Sequence, residues 1–117
     1  MDQFKKIGGE KMTVEKILEQ FDAEKVNDLC DGTKISWLAE VEGRVLCEIC
    51  GASPNEVILP KGSGDILSIP ESFSRVYLLY LAAMTELCAG NHGEYAALKK
   101  EFESLLSSYA KYLIRNR

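Results

Sequence analysis

A single histidine, His92, serves the whole 117-residue chain. With no second imidazole, and no serine or cysteine matched to this one, the nucleophile–base pairs of hydrolytic catalysis have no evident seat. Flanked by Gly90-Asn91 and Gly93, His92 reads as a solvated turn residue. Long hydrophobic runs are also missing. The longest, Val76 to Met84, has nine residues, where a membrane-spanning helix needs about 20. Positive charge is in deficit, with 14 Lys and Arg against 18 Asp and Glu for a formal charge of −4. That excludes an autonomous duplex-DNA binder, whose affinity depends on cations facing phosphates. There is no Gly-x-Gly-x-x-Gly. Gly62-Ser63-Gly64 is too short for a phosphate loop and no helix follows it at once. Neither an internal repeat nor a low-complexity tract occurs.

The first eleven residues lack the apolar stretch and small-residue cleavage site of a secretory signal. The expected compartment is therefore cytosolic, with the four cysteines reduced. Gly8-Gly9-Glu10-Lys11-Met12 is encodable by a purine-rich stretch resembling a bacterial ribosome-binding site before an ATG. The expectation is a start at Met12, residues 1–11 being a disordered or translated leader and residues 12–117 one domain.

What the chain does have is an ordinary globular mixture, 46% hydrophobic and 27% charged, in one domain's length. About 65% of the unfolded surface can be buried at this size. The apolar spacing is helical nearly throughout. A first helix is predicted over 13–23, capped by Thr13, with Val14, Ile17, Leu18 and Phe21 on one face. A second is predicted over 33–50, with Asp31 as cap and Ile35, Leu38, Val45, Leu46 and Ile49 as its stripe. Trp37 and Val41 lie on an adjoining face. Gly43 costs this helix about 1 kcal/mol relative to Ala and suggests a close backbone approach.

Residues 51–69 hold three of the nine glycines and two of the three prolines, which excludes helix there. Val57-Ile58-Leu59 and Ile66-Leu67-Ser68-Ile69 flank a turn-rich stretch, so a short hairpin or a long loop is expected. A third helix, predicted over 70–89, is apolar on all sides and must be covered on all sides. The fourth, over 94–114, places Tyr95, Leu98, Phe102, Leu105, Tyr109 and Tyr112 three and four apart, the pattern of a two-helix seam. The short turn between them makes an antiparallel pair. The expected fold is all-α, a four-helix antiparallel bundle with a long loop or short β-hairpin between helices 2 and 3.

Cys47-Glu-Ile-Cys50 is the strongest chemical candidate. A redox pair needs its first thiol at a helix N-terminus, where the dipole lowers its pKa, and this pair sits at a C-terminus. A zinc site would add Cys88 and His92, but these straddle a helix end and Cys30 is left over. Zinc demands four converging ligands, so the cysteines are expected to be small buried hydrophobes. No metal, cofactor or catalytic residue is expected. Glu15, Glu19, Glu101 and Glu103 read as solvated helix faces. Glu42 differs. At 100° per residue it falls inside the apolar stripe of helix 2, where an unpaired charge is costly. Lys34 and Arg75 are its candidate partners in a structural salt bridge. From Ser104 onward the chain carries Lys111, Arg115 and Arg117 and no acid, which complements a helix C-terminus or contacts an acidic partner. The apolar faces exceed what four helices readily hide. Trp37, Val41, Tyr77, Tyr80, Tyr109 and Tyr112 are therefore candidate contacts for self-association, with Lys111 and Arg115 beside them.

Four stretches carry a family resemblance: Met12-Thr-Val-Glu-Lys-Ile-Leu; Lys34-x-x-Trp37-Leu38-x-Glu40-Val41-Glu42-Gly43-Arg44-Val45; Leu67-x-Ile69-Pro70-Glu71-x-Phe73-x-x-x-Tyr77-x-x-Tyr80-Leu81; and Gly93-Glu94-Tyr95 before an aromatic-rich terminal helix. Over residues 12 to about 115 the chain resembles the small head–tail connector (head-completion adaptor) proteins of tailed bacteriophages and prophages of Gram-positive bacteria. It departs from them at Val26-Asn27, where Pro-Asn is expected, which leaves the first turn open, and in its cysteines. The resemblance implies a non-catalytic protein that forms a ring on the portal and receives the next adaptor or tail component. DNA would be only passive cargo of the channel, from which an acidic lumen is repelled. It implies host cytoplasm during assembly and then the head–tail interface of the virion. The alternatives are a small cytosolic helical dimerisation domain and a cysteine-based zinc regulator.

Overall fold

The computed structural model describes residues 11–116, and the expected leader therefore lies, apart from Lys11, outside the described residues. In chain order the elements are β1 (Met12–Thr13), α1 (Val14–Glu24), α2 (Asp31–Arg44), β2 (Ile66–Leu67), α3 (Arg75–Cys88) and α4 (His92–Arg115). The fold is all-α with one two-stranded antiparallel sheet. Thr13 caps α1 as expected, its Oγ1 accepting from Lys16 N–H at 3.2 Å. α2 begins with Asp31 as its first helical residue and Cys30 at the cap position, so Asp31 is not the cap. Its last turn, Val45–Ile49, is π-helical and ends at Gly51, whose φ of 78° suits a residue without Cβ.

Segment 51–69 contains one 3-10 turn, Pro54–Glu56, closed by a capping box between Ser53 and Glu56, so helical geometry is not wholly absent. The expected hairpin between 57–59 and 66–69 does not form. β2 pairs instead with β1, Met12 opposite Leu67 and Thr13 opposite Ile66. Two further backbone bonds, Val14 N–H to Asp65 O and Glu15 N–H to Ser63 O, extend this pairing. The tip is folded back on itself by Asp65, whose carboxylate accepts from the N–H groups of Lys61 and Gly62 at 2.7 and 3.1 Å. With β1 as the partner of Ile66–Leu67, residues 57–59 stay outside the ladder.

The third helix is preceded by a 3-10 turn, Glu71–Phe73, and starts five residues later than the periodicity suggests. The fourth starts two residues earlier, which makes His92 a first-turn helical residue rather than a turn residue. Between them Gly90, at φ 82°, completes a Schellman motif: Asn91 N–H bonds to Glu86 O and Gly90 N–H to Leu87 O. α3 and α4 form the antiparallel pair, and α1 and α2 cover the other side of α3. The apolar girdle of α3 is thereby enclosed, with Val76, Tyr77, Leu78, Leu81 and Ala83 buried.

Departure at Val26-Asn27 leaves a well-determined turn. Val26 points to solvent, while Asn27 donates to Lys25 O at 2.9 Å and to Asp22 at 3.1 Å and accepts from Leu29 N–H at 3.2 Å. This is the local side-chain bonding for which Asn is favoured in turns.

Candidate interaction surface

Most of the aromatic side chains expected at a surface are inside. Tyr77 is fully buried, Val41, Trp37 and Tyr109 are nearly so, and all four belong to the core. They are unavailable to a partner: α1 packs on α2 and α3, and the Phe73 ring lies 5.1 Å from that of Tyr109 on α4. Tyr80 and Tyr112 are half-buried, while Lys111 and Arg115 are exposed.

Glu42 is 2% exposed, and neither candidate cation reaches it. Its carboxylate accepts from Ser68 N–H at 2.6 Å and from the Ser68 hydroxyl. The Tyr77 hydroxyl donates to it at 3.3 Å while accepting from Ile69 N–H at 2.9 Å. Burial and the neighbouring carboxylate push the Tyr77 phenol far above its ordinary range. Burial disfavours the charged phenolate. This cluster clasps the end of the long loop to α2 and α3, a buried charge held by hydrogen bonds rather than by a countercharge. Lys34, 2% exposed, bonds Asp22 at 2.8 Å and lies 3.6 Å from Asp31. Arg75 bonds Glu24 at 2.7 Å. Each cation ties together elements of the first half or joins α3 to α1. Glu103 is not simply a solvated residue. The Arg44 guanidinium grips it at 2.7 and 2.6 Å, and Lys99 adds 2.9 Å. The Arg44 bond holds the Glu103 carboxyl down at about 2.

The cysteines are not buried hydrophobes. Cys30, Cys50 and Cys88 are exposed and Cys47 is half-exposed. Among the described residues no group of three or more His, Cys, Asp or Glu is placed to hold a metal, so Cys47, Cys50, Cys88 and His92 do not converge. The single thiol at a helix N-terminus is Cys30. Its hydrogen bond with Thr33 at 3.2 Å draws its pKa downward.

Among the described residues, the large apolar side chains that reach solvent are Val26, Ile58, Leu59, Ile66 and Ile114. Three of these belong to the long loop. Ile58, 87% exposed, and Ile66, 60% exposed, line a groove of about 240 Å³ with Leu46, Pro60 and Pro70, and Glu42 at its base. Lys11 stands at its rim. Gly43 lies under this loop, and a Cβ there would meet Leu59 Cδ2 at 3.7 Å, ordinary contact rather than the close backbone approach its presence suggested. The residues named as contacts lay on helices, whereas three of the five exposed large apolar side chains among the described residues lie on the long loop, which the resemblance already allowed to reach a neighbour or the portal. The Val57-Ile58-Leu59 triplet was the available signal, masked by its assignment to a strand.

The chain matches no protein-family profile, and comparison with curated proteins and with solved structures finds no match. No helix among the described residues is long and apolar enough to cross a membrane.

Proposed function

We propose that this protein is a non-catalytic structural adaptor that assembles through protein–protein contacts, in the manner of the phage head–tail connectors it resembles. It would assemble in the cytoplasm of an infected bacterium, dock on the portal as a ring, and present a platform to the next adaptor or tail component at the head–tail interface. The observation that carries this reading is the apolar loop surface around Ile58 and Ile66, clasped to the helices through Glu42, Ser68 and Tyr77. A free loop of this composition loses entropy on docking. One anchored at its base loses less and presents a formed surface. The helical fold, the acidic balance and the four resembling stretches support the same reading. Among the described residues, the exposed large apolar side chains sit at loop positions and in the last turn of α4, which favours discrete docking contacts over a broad greasy interface.

Electron microscopy of the protein mixed with the portal protein encoded beside it tests this. Rings seated on the portal are the expected outcome. Failure to bind the portal, with a gene neighbourhood free of portal and capsid genes, would favour the small helical dimerisation domain instead.

A further inference from the structure

The outer side of α1 carries a run of acids. Glu15, Glu19 and Asp22 are exposed, and their i, i+4, i+7 spacing sets them within about 60° of one another around the helix axis. With Leu18, Asp31 and Ser63 they line a groove of about 280 Å³. Every charged residue that lines it is acidic. Lys34 bonds Asp22 at 2.8 Å and lies 3.6 Å from Asp31, so one buried ammonium answers for two of the four carboxylates. Glu15 and Glu19 have no Lys or Arg of the described residues within 4 Å. Lys16 lies about 100° round α1 from Glu15 and does not line the groove. A second feature, independent of α1, is the converse of this one. Lys111, Ile114 and Arg115 are spaced i, i+3, i+4 on α4 and share one face. All three are exposed, and no acid among the described residues lies within 4 Å of either cation. From Ser104 onward the sequence supplies no acid to offset them.

Resting on the adaptor reading, we infer that the Lys111–Ile114–Arg115 face of one copy docks on the Glu15–Glu19–Asp22 groove of a second copy. Charge selects the occupant: a groove whose charged lining is wholly acidic meets a helix end whose charges are wholly basic. The spacing matches as well. Lys111 and Arg115 are four residues apart, as are Glu15 and Glu19, and four residues span about 6 Å along either helix. Two ion pairs therefore form together when the helices lie side by side, and Ile114 then lies over Leu18. No α4 residue lines the groove within one chain, so the two surfaces are distinct patches on the same molecule. A contact between unlike patches is heterologous: it leaves a free groove at one end and a free helix face at the other, and it propagates from copy to copy, closing into a ring where the rotation per step allows. Exposed ion pairs are individually weak and screened by salt, so the contact is weak in dilute solution and strengthens when copies are gathered on one platform.

The test reverses charges in the full chain. Glu15→Lys with Glu19→Lys reverses the groove, Lys111→Glu with Arg115→Glu reverses the helix face, and the four together reverse both while leaving the net charge unchanged. Glu94→Lys with Glu101→Lys, at two exposed positions of α4, is the control that alters net charge as the groove variant does. Circular dichroism checks that the helices persist, and the helix-face variant decides the matter should Glu15→Lys disturb the start of α1. By sedimentation velocity at low ionic strength and up to millimolar concentration, the wild type is expected to associate and to come apart as salt is raised. Each one-sided variant is expected to associate about tenfold more weakly, whereas the fourfold variant and the control associate as the wild type does. A wild type that stays monomeric, or a one-sided variant that associates as it does, would overturn the inference. So would a fourfold variant that fails to recover, or a control that weakens as much as the groove variant. Each of these outcomes leaves the adaptor reading to the portal-binding experiment. A one-sided variant that self-associates normally but no longer binds the portal would assign that face to the portal and also overturn the inference.

Discussion

Replacing Tyr77 by Phe removes one oxygen from the interior and tests the clasp directly. That oxygen accepts from Ile69 N–H at 2.9 Å, and Ile69 is fully buried. With Phe in place, the amide faces a ring edge with no acceptor. An orphaned buried donor costs about 1–3 kcal/mol. The bond from the hydroxyl to Glu42, at 3.3 Å, is long and adds less, so the expected loss is about 2 kcal/mol. For a domain whose whole stability is about 5–15 kcal/mol, that loss changes the folded-to-unfolded ratio by roughly 30-fold. Urea unfolding should show a midpoint lower by about 1 M with an unchanged slope, since the exposed area does not change. Tyr80→Phe is the control. Tyr80 is half-buried and its hydroxyl donates to the exposed Glu40, so its loss should cost at most about 0.5 kcal/mol. Hydrogen exchange should locate the effect, with protection at the Ile69 amide falling further than at the core of α3. Equal stability of the Tyr77→Phe and Tyr80→Phe proteins, or an Ile69 amide as protected as before, would refute the clasp.

Other outcomes follow from the same contacts. Gly43→Ala should raise stability by about 1 kcal/mol, because the added methyl meets Leu59 at an ordinary 3.7 Å; a lower urea midpoint would mean the loop packs differently. Glu103, Asp22, Glu24 and Glu86 all have carboxyl pKa values lowered by their cationic partners. The unfolded state therefore takes up protons first, and stability present above pH 5 should drain away as pH falls towards 2. Glu103→Gln should flatten that decline, and an unaltered acid profile would count against the Arg44–Glu103 tie. At the alkaline end the sign reverses. Burial raises the phenols of Tyr77, Tyr80 and Tyr109, the last to about 12. The unfolded chain releases these protons near pH 10 while the folded chain keeps them, so stability should fall above pH 10. Phenolate absorbance from these three should appear together with loss of helicity, and ionisation in the fully helical protein would contradict their burial.

Much of the fold was legible in local pattern. Helix faces repeat every three to four residues, and each helix makes its own backbone bonds, so Val14, Ile17, Leu18 and Phe21, or Phe102 and Tyr109, announced both helix and buried face. The Thr13 cap was equally local. The candidate interaction surface was much less legible. Composition marked residues 51–69 as irregular but did not say that the segment would reach back to Met12–Thr13, more than fifty residues away. Side-chain type suggested Tyr77 and Trp37 for contact, but coverage by a distant element, not residue type, decides which aromatic is hidden.

The amino-acid sequence on its own determined the helical class, the antiparallel α3–α4 pair, the acidic balance with a basic end, and the inward direction of Glu42. Each depends on periodicity, on a turn of a few residues, or on a count of charges. Tertiary structure alone decided that Glu42 is met by Ser68 and Tyr77 rather than by Lys34 or Arg75, that β2 takes β1 as its neighbour, and that Ile58 and Ile66 remain in water. Those outcomes turn on which of several chemically equivalent partners comes within about 3 Å. Only the packing of all the elements together sets such distances.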